Sequence, residues 1–171
     1  MMQRPLFRSL LQSSRAYHVA LGNMETGSLP IYFYAKDEPI TALASLPAQV
    51  HEDFTGKRKS SMVVYTGEGR AVLVGMGKVE DIDETCIREC VVAGLQAAKG
   101  LKTITTAVLH VPTTPLCVER VAELMAQSSM LSDYKFDKYL SKKKKDAKGL
   151  ETVLVQAPVT CEQVRGAPCF E

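Results

Sequence analysis

"AVLVGMGKVEDIDETC", residues 71–86, runs from an apolar stretch through Gly75, Gly77 and Lys78 into the start of a helix. Many phosphate-binding loops are written this way, so the first question is whether the chain is built to hold a nucleotide. A P-loop needs G-x-x-x-x-G-K-[ST], in which the hydroxyl after the lysine holds magnesium. Here Val79 follows Lys78 and the glycine spacing fails. A dinucleotide fold needs a third glycine opening the helix and a bare helix N-terminus for pyrophosphate. Instead Glu80, Asp81, Asp83 and Glu84 crowd that point, where they complement the helix dipole and repel an anion. The stretch is read as a glycine turn that lets a strand end pack closely against the helix that follows.

Outward from this turn, strands and helices alternate. "IYFYA" (31–35) is β-branched and aromatic and predicts a strand, and "AQVHEDFTGKRKSS" predicts a short helix that breaks into a basic loop at Gly56. "MVVYT" and "RAVLVG", joined by Gly67-Glu68-Gly69, predict a hairpin, because glycines supply the positive φ values of tight turns. Asp83 can cap a helix whose Ile87, Val91, Gly94, Leu95 and Ala98 form one apolar stripe, with Gly100 placed to end it. "TITTAVLH" (103–110) predicts a strand. Val118, Val121, Ala122, Met125 and Ser129 mark a second amphipathic helix, and "ETVLVQA" (151–157) a last strand. The expected class is α/β, a mixed and largely parallel sheet with helices on both faces.

Bulk properties bound the function. The chain has 171 residues, 46% hydrophobic, enough for one domain with a useful core and cramped for two. Its 21 basic and 19 acidic side chains leave a formal charge of +2, far from the one-sided excess of a dedicated nucleic-acid binder. No apolar run approaches the roughly 20 residues of a membrane-spanning helix, so no membrane span is expected. The five cysteines, Cys86, Cys90, Cys117, Cys161 and Cys169, are odd in number and include no C-x-x-C pair, which suits a reducing compartment. Cys86 and Cys90 share a helical face, but a zinc site needs about four ligands and His18, His51 and His110 form no cluster in sequence. Neither a metal nor another cofactor is expected.

Charge is unevenly placed. Residues 1–22 carry Arg4, Arg8 and Arg15, and no acid precedes Glu25. Phe7, Leu10, Leu11 and Ser14 recur at helical spacing, which is the pattern of a mitochondrial transit peptide and points to the matrix. A basic arm is the alternative, and arginines at 8 and 15 interrupt any secretory apolar core. Removing this segment leaves about 150 residues. At the other end, Tyr134, Phe136 and Tyr139 alternate with charges ahead of an unbroken basic block, Lys142, Lys143, Lys144 and Lys145. Such a block either contacts an acidic protein or RNA, or is a solvated loop whose aromatics anchor the preceding helix.

The order of these pieces resembles the N-terminal domain of leucyl (cytosol) aminopeptidases: a hairpin strand ending "VLVGMGK", an acidic helix start, a strand, a helix rich in small residues, then "YKFDKYLSKKKK". The resemblance spans about residues 31–157 and implies a macro-domain-like fold, with the domain at 29–158 and a tail at 159–171. In that family two metal ions sit in a larger C-terminal domain, held by a lysine, aspartates and a glutamate, with N-T-D-A-E-G-R as the clearest signature. After Ala157 only "PVTCEQVRGAPCFE" follows, whose carboxylate side chains are Glu162 and Glu171, and no residue here matches a family metal ligand. The resemblance implies a non-catalytic interaction or scaffold module in a larger complex or homo-oligomer, since the family's N-terminal domain takes part in packing between subunits of a hexamer. Two alternatives stand beside it: the N-terminal fragment of an active metallo-aminopeptidase, and an ADP-ribose pocket supported by fold analogy alone.

The Lys142–Lys145 block is the candidate interaction surface of the module reading. Each exposed lysine adds a modest, salt-sensitive amount to affinity. Replacing all four with glutamine is expected to weaken association at low salt while the fold stays intact, measured by pull-down from the native compartment. An unchanged pull-down makes the block a solvated loop.

Overall fold

The computed structural model describes residues 18–23, 27–36, 38–40, 48–67, 69–101, 103–132 and 150–157. Six strands make one sheet: β1 (His18–Leu21), β2 (Leu29–Ala35), β3 (Ser61–Thr66), β4 (Gly69–Gly77), β5 (Thr106–His110) and β6 (Thr152–Gln156). Their order is β1-β6-β5-β2-β4-β3, and only the β3–β4 hairpin is antiparallel. Three helices accompany them: α1 (Ala48–Asp53), α2 (Glu84–Lys99) and α3 (Val118–Ser132). A 3-10 turn at Val79–Asp81 joins β4 to α2.

The parallel register aligns one apolar row across the sheet. Val72 stands beside Ile31, Ile31 beside Leu109, and Leu109 beside Val155. All four are at most 1% exposed. They meet Ile87, Val91, Leu95 and Ala98 of α2 and Val121, Leu124 and Met125 of α3 in one continuous core. Burying each of these side chains other than that of Ala98 stabilises the fold by roughly 1.5–3 kcal/mol relative to exposure. The stripe predicted on α2 is the stripe that is buried, with Cys86 and Cys90 added to it. In α3 the buried hydroxyls of Ser128 and Ser129 donate to the carbonyls of Leu124 and Met125 at 2.7 Å, so they enter the core already satisfied.

Both long helices lie on the same face of the sheet, and the opposite face is packed from Val50 and Phe54, in and just after the short α1, onto Tyr34, Val64, Ala71 and Leu73. The expected mixed sheet with helices is present, distributed unequally between the faces. Several boundaries differ from the reading above, and one strand is new. β2 begins at Leu29, two residues before "IYFYA", and β5 begins at Thr106 rather than Thr103. β1 was not foreseen, and it lies inside the 1–22 stretch read as a leader or arm. Four residues are too few to show a period, and β1 acquires its strand geometry by pairing with β6, more than 100 residues away in the chain.

The glycines of the opening stretch serve a close approach. Gly75 donates to Ser60 O at 2.8 Å and accepts from Lys59 N at 3.0 Å, while Gly77, at φ +83°, donates to Gly56 O at 3.0 Å. The loop at 56–60 thus lies directly on the end of β4. The reading that Gly75 and Gly77 serve the following helix is corrected here: the backbone they admit is that of the basic loop. A Cβ at Gly75 would overlap the Lys57 carbonyl oxygen and lie 2.6 Å from the carbonyl carbon of Gly56.

Gly75→Ala is expected to cost about 3 kcal/mol, because backbone atoms rather than a flexible side chain must move. Gly67→Ala, where the added methyl meets nothing within 4 Å, is expected to change stability by less than about 0.5 kcal/mol. Urea unfolding followed by circular dichroism, with the slope unchanged, reads both.

Candidate functional site

An open cleft of about 440 Å³ lies beyond the end of β4, lined by Arg58, Met76, Gly77, Lys78, Glu80, Asp81, Ile82 and Asp83. This is where the sequence raised the question of a nucleotide. The amides of Gly75 and Gly77 already donate to protein carbonyls, so they cannot wrap a phosphate. Asp83 caps α2 by accepting from Cys86 N at 2.6 Å, which occupies a first-turn donor and sets a carboxylate at the helix start. Arg58 is likewise engaged. Its guanidinium binds Glu89 at 2.9 Å and approaches Asp83 at 3.6 Å, while Lys59 binds Glu89 at 2.9 Å. Hydrogen bonds from Lys59 and Arg58 hold the Glu89 carboxyl below its ordinary range. The cleft is a turn braced by these contacts.

A second cluster joins the N-terminal ends of α2 and α3. Arg120 meets Glu84 with two bonds, at 2.9 and 3.1 Å, and also reaches Glu123 at 2.8 Å. Arg88 binds the same Glu84 at 3.1 Å. The bond from Arg120 is the largest cause holding the Glu84 carboxyl below its ordinary range. A carboxylate engaged this way by two arginines is a strut between helices and a poor proton acceptor.

The thiols of Cys86 and Cys90 are buried, 3.8 Å apart, and their bonds run to the carbonyls of Met76 and Gly75 at 3.2 and 3.4 Å. Burial pushes the Cys86 thiol up to about 12, so it is protonated at neutral pH and inert as a nucleophile. Among the described residues no group of three or more His, Cys, Asp or Glu side chains stands close enough to hold a metal ion.

The opposite face of the sheet carries a feature that the sequence did not disclose. His110 ends β5 and stands level with Gln156 at the end of β6. Its ring stacks on Tyr32 of β2, with centroids 4.3 Å apart and planes at 21°. Among the described residues, Nε2 of His110 and Oε1 of Gln156 are buried without a hydrogen-bond partner. Burial pushes the His110 imidazole below its ordinary value, favouring the neutral ring. Both residues sit at the carboxyl ends of parallel strands, where α/β sheets place their ligands. Only the pairing of β5 with β6 brings them together, and no local signal in either segment announces it. Lys142, Lys143, Lys144 and Lys145 lie outside the described residues.

The model of the "Cytosol aminopeptidase family, N-terminal domain" matches residues 37–143. The chain belongs to the cytosol aminopeptidase family. It carries that family's N-terminal domain. A "Probable cytosol aminopeptidase" of Geobacter sp. (strain M21) is 30% identical over 112 residues, covering 62% of this chain and 22% of that protein. Another, from Roseiflexus castenholzii, is 28% identical over 134 residues, covering 71% and 28%. The chain thus spans about a quarter of the length of the curated cytosol aminopeptidases it matches. A mutant of tomato leucine aminopeptidase superposes with a TM-score of 0.65 at 19% identity, covering 93% of this chain and 36% of its own. The bottromycin maturation enzyme BotP gives 0.60 at 17% identity, covering 77% and 28%. At these identities the two structures speak for the fold.

A histidine depressed by burial binds its proton more weakly in the folded state than in the unfolded chain. Stability is then fully present above the unfolded value near 6.5 and is lost as pH falls below it toward the folded value. The urea midpoint is expected to fall as the pH drops below about 6.5. His110→Phe, which keeps a ring on Tyr32 and removes the titration, is expected to flatten that part of the profile.

Proposed function

We propose that this domain is a non-catalytic protein–protein interaction module on the aminopeptidase N-terminal fold, a component of a larger assembly in the mitochondrial matrix. One observation carries the reading. Groups that could have done chemistry are engaged in holding the domain together: the glycine amides by the 56–60 loop, Glu84 and Glu89 by arginines and a lysine, Cys86 by burial. What the domain offers outward includes apolar surface, with Tyr65 68%, Leu131 71% and Met130 50% exposed. We take these exposed groups as the module's candidate contacts with another protein. The acid-free, arginine-bearing residues before His18 support the mitochondrial part of the reading. RNA contact through Lys142–Lys145 is a further proposal, supported by the charge run itself.

A second reading is favoured by length. Because the matched cytosol aminopeptidases are about four times longer than the region they share with this chain, the domain can be the first part of a metallo-aminopeptidase that removes N-terminal residues from peptides.

The native mass of the protein in a mitochondrial extract tests both. The module reading expects a species well above 18.7 kDa, with co-migrating protein bands and no release of leucine from a peptide in manganese or zinc. A single longer polypeptide carrying this domain and that activity would replace it with the second reading. A chain running alone as a monomer would overturn the module.

A further inference from the structure

The sheet ends at β3, and β3 carries none of the devices that usually keep an edge strand from pairing. Its sequence, SMVVYT, has no charge and no proline, and all six residues pair with β4 without a bulge. The register sets Thr66 against Gly69, Val64 against Ala71 and Met62 against Leu73. Gly75 N donates to Ser60 O, so the even-numbered residues are the ones that exchange bonds with β4. The N–H and C=O groups of Ser61, Val63 and Tyr65 therefore point away from the sheet. Among the described residues none of these outward groups has a hydrogen-bond partner. Ser61 and Tyr65 are both exposed, so the edge is open to approach.

We propose that β3 pairs antiparallel with β3 of a second copy of this chain, about a two-fold axis through Val63. The proposal rests on the module reading and gives that module a surface and a partner. Hydrogen-bond phase admits a second copy as the occupant, and size and charge favour it. With Val63 opposite Val63, Ser61 of each copy falls opposite Tyr65 of the other, and the outward groups meet in about six inter-chain bonds. Size also matches, because the large exposed Tyr65 lies beside the small exposed Ser61. Charge allows the approach: the strand is neutral, and the Lys57–Lys59 runs of the two copies fall at opposite ends of the paired ribbon. Counting along the strand they are on the order of 25 Å apart, well beyond a Debye length of about 8 Å. A two-fold axis closes the assembly at two copies and leaves α2 and α3 of both on one face of a continuous sheet. Pairing β3 with the four-residue edge β1 of another copy would run head to tail and leave ends open.

Sedimentation of the purified full chain across about 1–500 μM tests the pairing. The expected result is a concentration-dependent doubling of mass, with amide exchange at Val63 slowed in the dimer and fast on dilution. Val63→Pro removes an outward N–H together with a side chain that packs against the core, and Tyr65→Lys adds a charge at an exposed position. Each is expected to raise the dissociation constant about tenfold or more while the circular dichroism spectrum is unchanged. If Val63→Pro fails to fold, Tyr65→Lys carries the test. A wild-type chain that stays monomeric throughout, or a dimer that Tyr65→Lys leaves intact, overturns the pairing. A chain that is monomeric when pure yet co-migrates with other proteins in the extract overturns the pairing and leaves the module reading standing. A chain that dimerises through β3 and also hydrolyses leucine peptides upholds the pairing and overturns the module reading.

Discussion

The basic loop at residues 56–60 lies against the Gly75–Gly77 end of β4, and the rest of the α2 side of the fold is organised by that contact. Three backbone bonds join loop to strand, and Arg58 and Lys59 then reach across to Glu89 on α2. Strand, loop and helix are thereby fixed to one another at the point where the chain turns from sheet to helix. The contact tolerates no side chain at position 75, so a glycine there is a steric requirement of the loop. It also consumes the amides that a phosphate would have needed. A sequence that looks like an anion cradle is, in the folded chain, a backbone clasp.

The same economy holds elsewhere on the helical face. Glu84 is shared between Arg88 of its own helix and Arg120 of α3, and Lys99 donates to Ser132 O, tying the two helices together at their far ends. Gly94 lets α2 approach Ile31 and Val74, where an added Cβ would sit 3.0 Å from a methyl of each. These contacts tie the helical face together. Elsewhere, among the described residues, His110 Nε2 and Gln156 Oε1 are buried without a hydrogen-bond partner, and the outward backbone groups of β3 are unpaired.

Much of the fold was legible because its signals are local. The α2 stripe repeats at helical spacing within a single segment, Asp83 stands where a cap belongs, and the two-residue loop between Thr66 and Gly69 has the composition of a hairpin turn. The crowding of Glu80, Asp81, Asp83 and Glu84 at the helix start could also be read from composition. β1 was missed because "HVAL" has no period and gains its conformation from β6. The partner of Gly75 was missed because the 56–60 loop precedes β4 in the chain, across the hairpin, and its return onto the strand end is a matter of geometry. The His110–Gln156 pair was invisible for a similar reason, since its members are 46 positions apart and become neighbours only through the parallel register.

The amino-acid sequence by itself determined the element types, the apolar stripes and the membership in the aminopeptidase family, because propensity, period and motif order are carried by neighbouring residues. Tertiary structure alone decided which face each helix covers, which backbone the glycines admit, where buried polar atoms go unpaired and which strand is left at the edge. Those outcomes depend on contacts between segments far apart in the chain, and their free energies appear only when the sheet order brings the segments together.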